Sequence, residues 1–187
     1  MRKLIITLLG IFLSTQSVLA AKDYEKLYNE AEVPKIKLMH NLDPYQNEDY
    51  YNYTWAPYPL FRTATTLYFK DITIPPGYYL LAARTIKDKD YIFFKESGKV
   101  KFIIPVIETD IVLEDSYQRK MPTPKLTKTE NVKKKIASFF KNHMSNSKKQ
   151  DPPSSFIQAQ KLDENFHEII YYYGNKKYTM YFRTSSF

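Results

Sequence analysis

Hydrophobic and polar residues alternate through residues 62–107, and this alternation predicts a block of short β-strands. Leu67 and Phe69 share one face of the first strand, and the phase of the pattern changes at residues 70–71, which predicts a bulge or a bend. Longer strands are predicted over residues 78–86, 91–96 and 99–106. Turns are predicted over residues 75–77, 87–90 and 97–98, so neighbouring strands are expected to pair as antiparallel hairpins.

A second block with the periodicity of strands occupies residues 156–187. Strands are predicted over residues 156–162, 166–173 and 176–183, and Gly174-Asn175 between the last two is typical of a type II′ hairpin turn. Together the two blocks predict about seven strands at short spacing. We therefore expect a mainly β protein, built as a single antiparallel β-sandwich or barrel-like domain.

The residues before the first block predict a short helix followed by an extended arm. Apolar residues recur at the i, i+3, i+4, i+7 spacing of an amphipathic helix over residues 23–33, and Pro34 is expected to end it. Residues 34–61 are rich in Tyr and Pro. Because proline disfavours helix, this stretch is expected to be extended and to run over the surface of the domain.

Residues 1–20 have the pattern of a cleavable secretory signal peptide. Arg2 and Lys3 precede an apolar run over residues 4–13, which is roughly half the length of a membrane-spanning helix. Val18 and Ala20 fit the small-x-small rule for cleavage after Ala20, with a cut after Ala21 as the alternative. The sequence therefore predicts export to the periplasm or secretion, with no transmembrane anchor in the mature chain, which would begin at residue 21.

Residues 108–155 separate the two β blocks by far more than the usual connection of about 4–6 residues. A helix is predicted near residues 131–144, with Thr129 or Asn131 as its N-cap. The apolar face of this helix would consist of Val132, Ile136, Phe139 and Phe140. The lysines predicted to contact an anionic surface are Lys133, Lys134, Lys135, Lys141, Lys148 and Lys149.

Positive charge is concentrated in residues 119–149, called the basic segment below. It contains ten Lys or Arg and a single acid, Glu130, for a net charge of +9. The whole chain carries +8, of which two positive charges lie in the predicted signal peptide, so the mature chain outside the basic segment is −3. The pattern therefore indicates a mildly acidic β-domain that carries a basic amphipathic insertion.

Four interpretations of the basic segment differ in what its apolar face contacts. The helix could pack on the β-domain and leave its lysines in water, or it could lie on an anionic membrane or envelope polymer. It could also dock in the groove of a protein partner. Nucleic acid is the least favoured partner, because an exported protein rarely meets it and no recognition motif is present. The leading functional expectation is an exported, non-enzymatic domain that binds or scaffolds at an anionic envelope surface.

The chain is rich in aromatic residues, with 17 Tyr and 12 Phe. Tyr and Trp rings can stack on sugar faces and donate hydrogen bonds, so the stretch from residue 45 to residue 58 is a candidate glycan platform. Its candidate residues are Tyr51, Tyr53, Trp55 and Tyr58. The alternative is that these amphipathic rings hold the extended arm against its own domain.

No catalytic residue, metal site or cofactor is expected. A carboxylate cluster at Glu108, Asp110, Glu114 and Asp115 allows an alternative hypothesis of a glycan-acting envelope enzyme, although a solvated strand end is the favoured interpretation. The three histidines, His40, His143 and His167, lack metal-ligand spacing. The absence of Cys excludes thiolate catalysis and Cys-ligated zinc, and no glycine-rich nucleotide loop is present. The sequence assigns no small-molecule ligand.

Overall fold

The computed structural model describes residues 23–113, 127, 129–130, 132–133, 135–136 and 149–185. Within these residues the protein is mainly β, with ten strands in two antiparallel sheets. The strands are β1 (Leu60–Thr63), β2 (Leu67–Phe69), β3 (Ile72–Ile74), β4 (Gly77–Ile86), β5 (Lys89–Glu96), β6 (Lys99–Pro105), β7 (Glu108–Ile111), β8 (Ser155–Lys161), β9 (Phe166–Tyr173) and β10 (Lys176–Arg183). The helices are α1 (Tyr24–Glu30), a 3₁₀ turn (Met39–Asn41) and α2 (Gln46–Asn52).

The first sheet has the order β1-β4-β5-β6, and the second has the order β3-β2-β10-β9-β8, with β7 pairing β10 as well. Among the described residues the two sheets are separate and neither closes on itself, so the mainly β, sandwich-like prediction is confirmed and the barrel-like alternative is not. The strand count exceeds the predicted seven partly because β1 and β7 are only four residues long. Such short strands carry too little periodicity to be recognised.

Aromatic rings from both sheets fill the core between them. Phe94 of β5 lies edge-on to Phe61 of β1, with ring centroids 5.9 Å apart, and meets Phe182 of β10 at 6.1 Å. Phe94 and Phe182 have no exposed surface. The ring contacts therefore join the two sheets, as edge-to-face aromatic pairs do in protein interiors.

Helix α1 packs on the second sheet, where the Tyr24 ring lies 5.4 Å from Phe166 and 6.2 Å from Tyr181. The Asp23 side chain accepts a hydrogen bond from the Lys26 amide and caps the helix. The predicted helix is confirmed, but it ends at Glu30 rather than at residue 33, because Ala31 is already extended.

The predicted extended arm is wrong in part, because α2 lies inside it. No proline occurs between Pro44 and Pro57, so the helix has room to form. Glu48 and Asp49 in its first turn interact favourably with the positive end of the helix dipole. The arm covers the outer face of the first sheet, where Tyr58 is buried with Ala82 and Phe93.

Tight turns connect the hairpins. The change of phase at residues 70–71 is a two-residue turn between β2 and β3 rather than a bulge, and Lys70 has a φ of 53°. The predicted loop over residues 87–90 shrinks to Lys87 and Asp88, since β5 already begins at Lys89. Gly174 has a φ of 58°, which a type II′ turn requires at its first position.

Candidate functional site

Between residues 129 and 136, the described part of the basic segment is helical and leaves its apolar residues exposed. Residues 129–130, 132–133 and 135–136 have helical conformation. The side chains of Val132 and Ile136 are 56% and 53% exposed. At about 100° per residue, Val132 and Ile136 share one face of a helix and Lys133 and Lys135 flank that face. Both lysines are exposed as well.

A capping box begins this helix. The Thr127 amide donates to Glu130 Oε2 at 2.8 Å, and the Glu130 amide donates to Thr127 Oγ1 at 3.4 Å. The Thr127 hydroxyl also donates to Glu130 Oε2, at 2.8 Å, and the two bonds to this carboxylate hold the pKa of Glu130 below its ordinary value. Thr129 is already helical, so the prediction that it caps this helix is wrong, and the alternative cap, Asn131, lies outside the described residues. The T-x-x-E pattern of residues 127–130 was the sequence signal for this start.

The C-terminal end of the basic segment docks beside α2. Lys149 Nζ donates to the backbone oxygen of Tyr50 at 2.7 Å. The amides of Thr54 and Gln150 complete a parallel bridge, at 2.9 Å to the Gln150 oxygen and 2.8 Å to the Asn52 oxygen. Lys149 thus contacts its own chain. Five predicted site residues, Lys134, Phe139, Phe140, Lys141 and Lys148, lie outside the described residues.

The four aromatic residues of the predicted glycan platform have different surroundings. Tyr51 and Trp55 are 77% and 57% exposed, whereas Tyr58 is 8% exposed and faces the first sheet. Tyr53 is half-buried and shares a side-chain hydrogen bond with Tyr173, whose pKa is raised by burial and by this bond. Tyr58 therefore belongs to the contact between arm and sheet, and the exposed rings are Tyr51 and Trp55.

A buried network of charges, which sequence reasoning missed, joins the arm to the first sheet. The Asp43 side chain has no exposed surface, and its carboxylate accepts hydrogen bonds from Arg84 Nη2 at 2.6 Å and from Lys95 Nζ at 3.0 Å. Lys95 Nζ also donates to Gln46 Oε1 at 2.6 Å. Since Arg84 and Lys95 lie on β4 and β5, this network fixes the start of α2 on the sheet.

Asp49 and Tyr58 extend the network toward the surface. Arg84 Nη2 also contacts the Asp49 carboxylate, and the Tyr58 hydroxyl donates to Asp49 Oδ2 at 2.6 Å. Lys95 Nζ lies 4.4 Å from the centre of the Tyr58 ring, within cation–π distance. Two carboxylates therefore balance two cations, and the network is neutral. The sequence signal for this network is weak. Arg84 and Lys95 interrupt apolar strands, but the residues near them in the sequence do not predict which acids they pair with.

The pKa values of the network follow from burial and pairing. Burial alone would raise the pKa of Asp43, but hydrogen bonds and charge from Arg84 and Lys95 outweigh it and hold that pKa below 3.8. Burial lowers the pKa of Lys95, although Asp43 opposes the shift. Burial and the hydrogen bond to Asp49 raise the pKa of the Tyr58 hydroxyl, which therefore stays protonated.

The depressed pKa of Asp43 predicts a loss of stability in acid. Ionised Asp43 stabilises the fold above its unfolded-state pKa of about 3.9, and this contribution is lost as the pH falls through the lower folded-state value. We expect the difference in free energy of unfolding between wild type and Asp43→Asn, called the stability gap, to narrow progressively below about pH 4. Urea unfolding at a series of pH values measures the gap, with exposed Asp71→Asn as the control. A constant gap would contradict this assignment.

The predicted carboxylate cluster is only partly within the described residues. Glu108 and Asp110 lie on β7, and Asp110 Oδ2 contacts Lys177 Nζ at 2.9 Å, while Glu114 and Asp115 lie outside. Among the histidines, His40 is exposed with a φ of 52°, His167 is half-buried on β9, and His143 lies outside the described residues. Within the described part of the chain, no three His, Asp or Glu side chains cluster as metal ligands would.

Comparisons with protein-family models, with curated proteins and with solved structures find no match to this chain. Among the residues that the structure describes, no helix has the length and hydropathy needed to cross a bilayer. The functional proposal therefore rests on the geometry and charge of this chain alone.

Proposed function

We propose that this protein binds anionic membrane headgroups through its basic segment, as an exported, non-enzymatic β-domain. Export would use residues 1–20 as a signal peptide and place the mature chain in the periplasm or outside the cell. The basic segment supplies a net charge of +9, whereas the remainder of the mature chain is −3. Only this segment therefore has the charge to hold the protein on an anionic surface.

The observation that carries the proposal is the exposure of Val132 and Ile136, at 56% and 53%, on a helix flanked by lysines. An apolar pair that packed on its own domain would be buried. An exposed apolar stripe with lysines on either side is typical of helices that lie in a membrane interface. The alkyl stems of the flanking lysines can run along the apolar stripe while their ammonium groups reach the headgroups.

Lipid is favoured over an anionic polymer because of these apolar side chains. Charge alone would serve on a polymer, but Val132 and Ile136 gain free energy only where they leave water, as they would at the boundary between headgroups and acyl chains. Each lysine near an anionic leaflet contributes about 1 kcal/mol. Several lysines together therefore supply most of the affinity, and the apolar pair determines the kind of surface.

The test is co-flotation with vesicles of phosphatidylcholine and phosphatidylglycerol. The wild-type protein should bind these vesicles and dissociate from them at high salt. It should not bind vesicles of pure phosphatidylcholine. Changing Lys133, Lys134, Lys135 and Lys141 to Gln should weaken binding about a thousandfold, since four lysines contribute about 4 kcal/mol. The matched control changes four lysines outside the segment to Gln: Lys37, Lys99, Lys101 and Lys161.

Further variants separate lipid from polymer. Val132→Asn with Ile136→Asn keeps the charge and should weaken vesicle binding, whereas binding to a soluble anionic polymer should be unchanged. Equal vesicle binding by the two lysine variants would refute the proposal. Binding to the polymer without binding to vesicles would refute its membrane form.

A further inference from the structure

A groove of about 1090 Å³ lies between the end of α1 and the β4–β5 and β6–β7 connections. Its lining includes Val33 and Ile107, which are half-buried and pack against the core. Its size exceeds most small-molecule pockets, which occupy about 300–1,000 Å³. An open groove that offers apolar side chains beside charged ones is suited to a helix with one apolar face flanked by charges.

Carboxylates also line this groove. Four of the lining residues are acidic and two are lysines, which gives the groove a net charge of −2. The acids are Glu30, Glu32, Asp88 and Asp90. Asp90 accepts hydrogen bonds from the hydroxyls of Thr85, at 2.5 Å, and Thr109, at 3.0 Å, so its carboxylate has a fixed position in the fold. The other three acids are exposed, and Glu30 Oε1 lies 3.9 Å from Lys26 Nζ in an exposed pair that leaves the carboxylate accessible to a second cation.

We infer that this groove binds the helix of the basic segment from a second copy of the chain. Val132 and Ile136 would pack against the apolar residues that line the groove, and the flanking lysines would meet its carboxylates. The occupant is a second copy because both apolar side chains are more than half exposed in their own copy. Each chain carries both a helix and a groove, so reciprocal exchange between two copies would form a two-fold dimer.

This inference rests on the same exposed helix as the proposed function. The helix cannot lie in a partner's groove and on a membrane at once, so the two kinds of binding compete. In the absence of a membrane, the dimer would cover the apolar stripe of each helix. An anionic bilayer would bind the helices and shift the equilibrium toward separated chains.

Sedimentation velocity at low and high salt tests the inference with two complementary variants. The groove variant carries Glu30→Gln, Glu32→Gln and Asp88→Asn, all at exposed positions. The helix variant carries Lys133→Gln and Lys135→Gln. We expect a salt-sensitive wild-type dimer, weakened roughly tenfold by either variant. The matched control, with wild-type dimerisation, carries Glu48→Gln, Glu164→Gln and Asp71→Asn.

An equimolar mixture of the two variants is the decisive measurement. A heterodimer keeps one intact helix and one intact groove, so the mixture should dimerise more strongly than either variant alone. A mixture no better than its components, or a monomeric wild type, would overturn the inference. Measuring vesicle binding by the same variants distinguishes a failure of this inference from a failure of the proposed function. A helix variant that loses vesicle binding but still dimerises refutes only the inference, and the opposite result refutes only the proposed function.

Discussion

Replacing Asp43 by alanine should lower the free energy of unfolding by about 3–5 kcal/mol, because it leaves two cations buried without their shared carboxylate. The side chains of Lys95 and Arg84 are only 2% and 10% exposed, so water cannot replace the lost partner. Urea unfolding at neutral pH measures the loss. Asp71→Ala is the matched control because it removes an exposed carboxylate.

A second change tests the mechanism of that loss. Adding Lys95→Met to Asp43→Ala replaces the unpaired ammonium with an apolar side chain of similar length, and should recover part of the stability. A loss below about 1 kcal/mol for Asp43→Ala, the value typical of exposed pairs, would show that the network is not buried in solution.

Phe94→Ala should cost about 3–5 kcal/mol, because it removes a fully buried ring from the contact between the two sheets. The cavity would lie among Phe61, Tyr79 and Phe182, whose rings surround Phe94. The measurement is again urea unfolding. Tyr78→Ala on the same sheet removes a ring that is 59% exposed and should cost far less.

Phe94→Leu provides a measurable intermediate if the alanine variant does not fold. It keeps most of the side-chain volume and should cost less than Phe94→Ala. Equal losses from Phe94→Ala and Tyr78→Ala would contradict the sandwich-like packing of the sheets, since one ring is buried between them and the other is not.

The charge network also bears on the basic segment, through a continuous set of contacts. Asp43 and Gln46 fix the start of α2 on the first sheet. At the end of α2, the amide of Gln150 donates a hydrogen bond to the backbone oxygen of Asn52. The network therefore positions the site where the basic segment rejoins the domain. A variant that loosens the network is expected to loosen that attachment as well.

Strands β9 and β10 begin and end where the sequence predicts, because runs of apolar and aromatic residues and the glycine turn between them are local properties of the chain. Helix α2 is not predicted because the prolines on either side of it disfavour helix, although none lies within the helix itself. The cap at Thr127 was missed although its signal, a Thr three residues before a Glu, is just as local. These two errors lie in the interpretation, since the residues themselves carried the information.

The pairing of Arg84 and Lys95 with Asp43, unlike helix α2 and the cap, could not be predicted from neighbouring residues. The partners are 41 and 52 residues apart in the chain, and they meet only after β4 and β5 have paired and the arm has crossed them. The exposure of Val132 and Ile136 belongs to the same class, since a helical apolar stripe has the same sequence whether it is covered or not.

The sequence by itself determined the β-rich character, the hairpins and the charge of the basic segment, because periodicity, turn chemistry and ionisation depend on neighbouring residues. Only the tertiary structure decided which charges are buried together and which apolar face remains in contact with water. Burial is a relation between distant parts of the chain, and it exists only once they have packed.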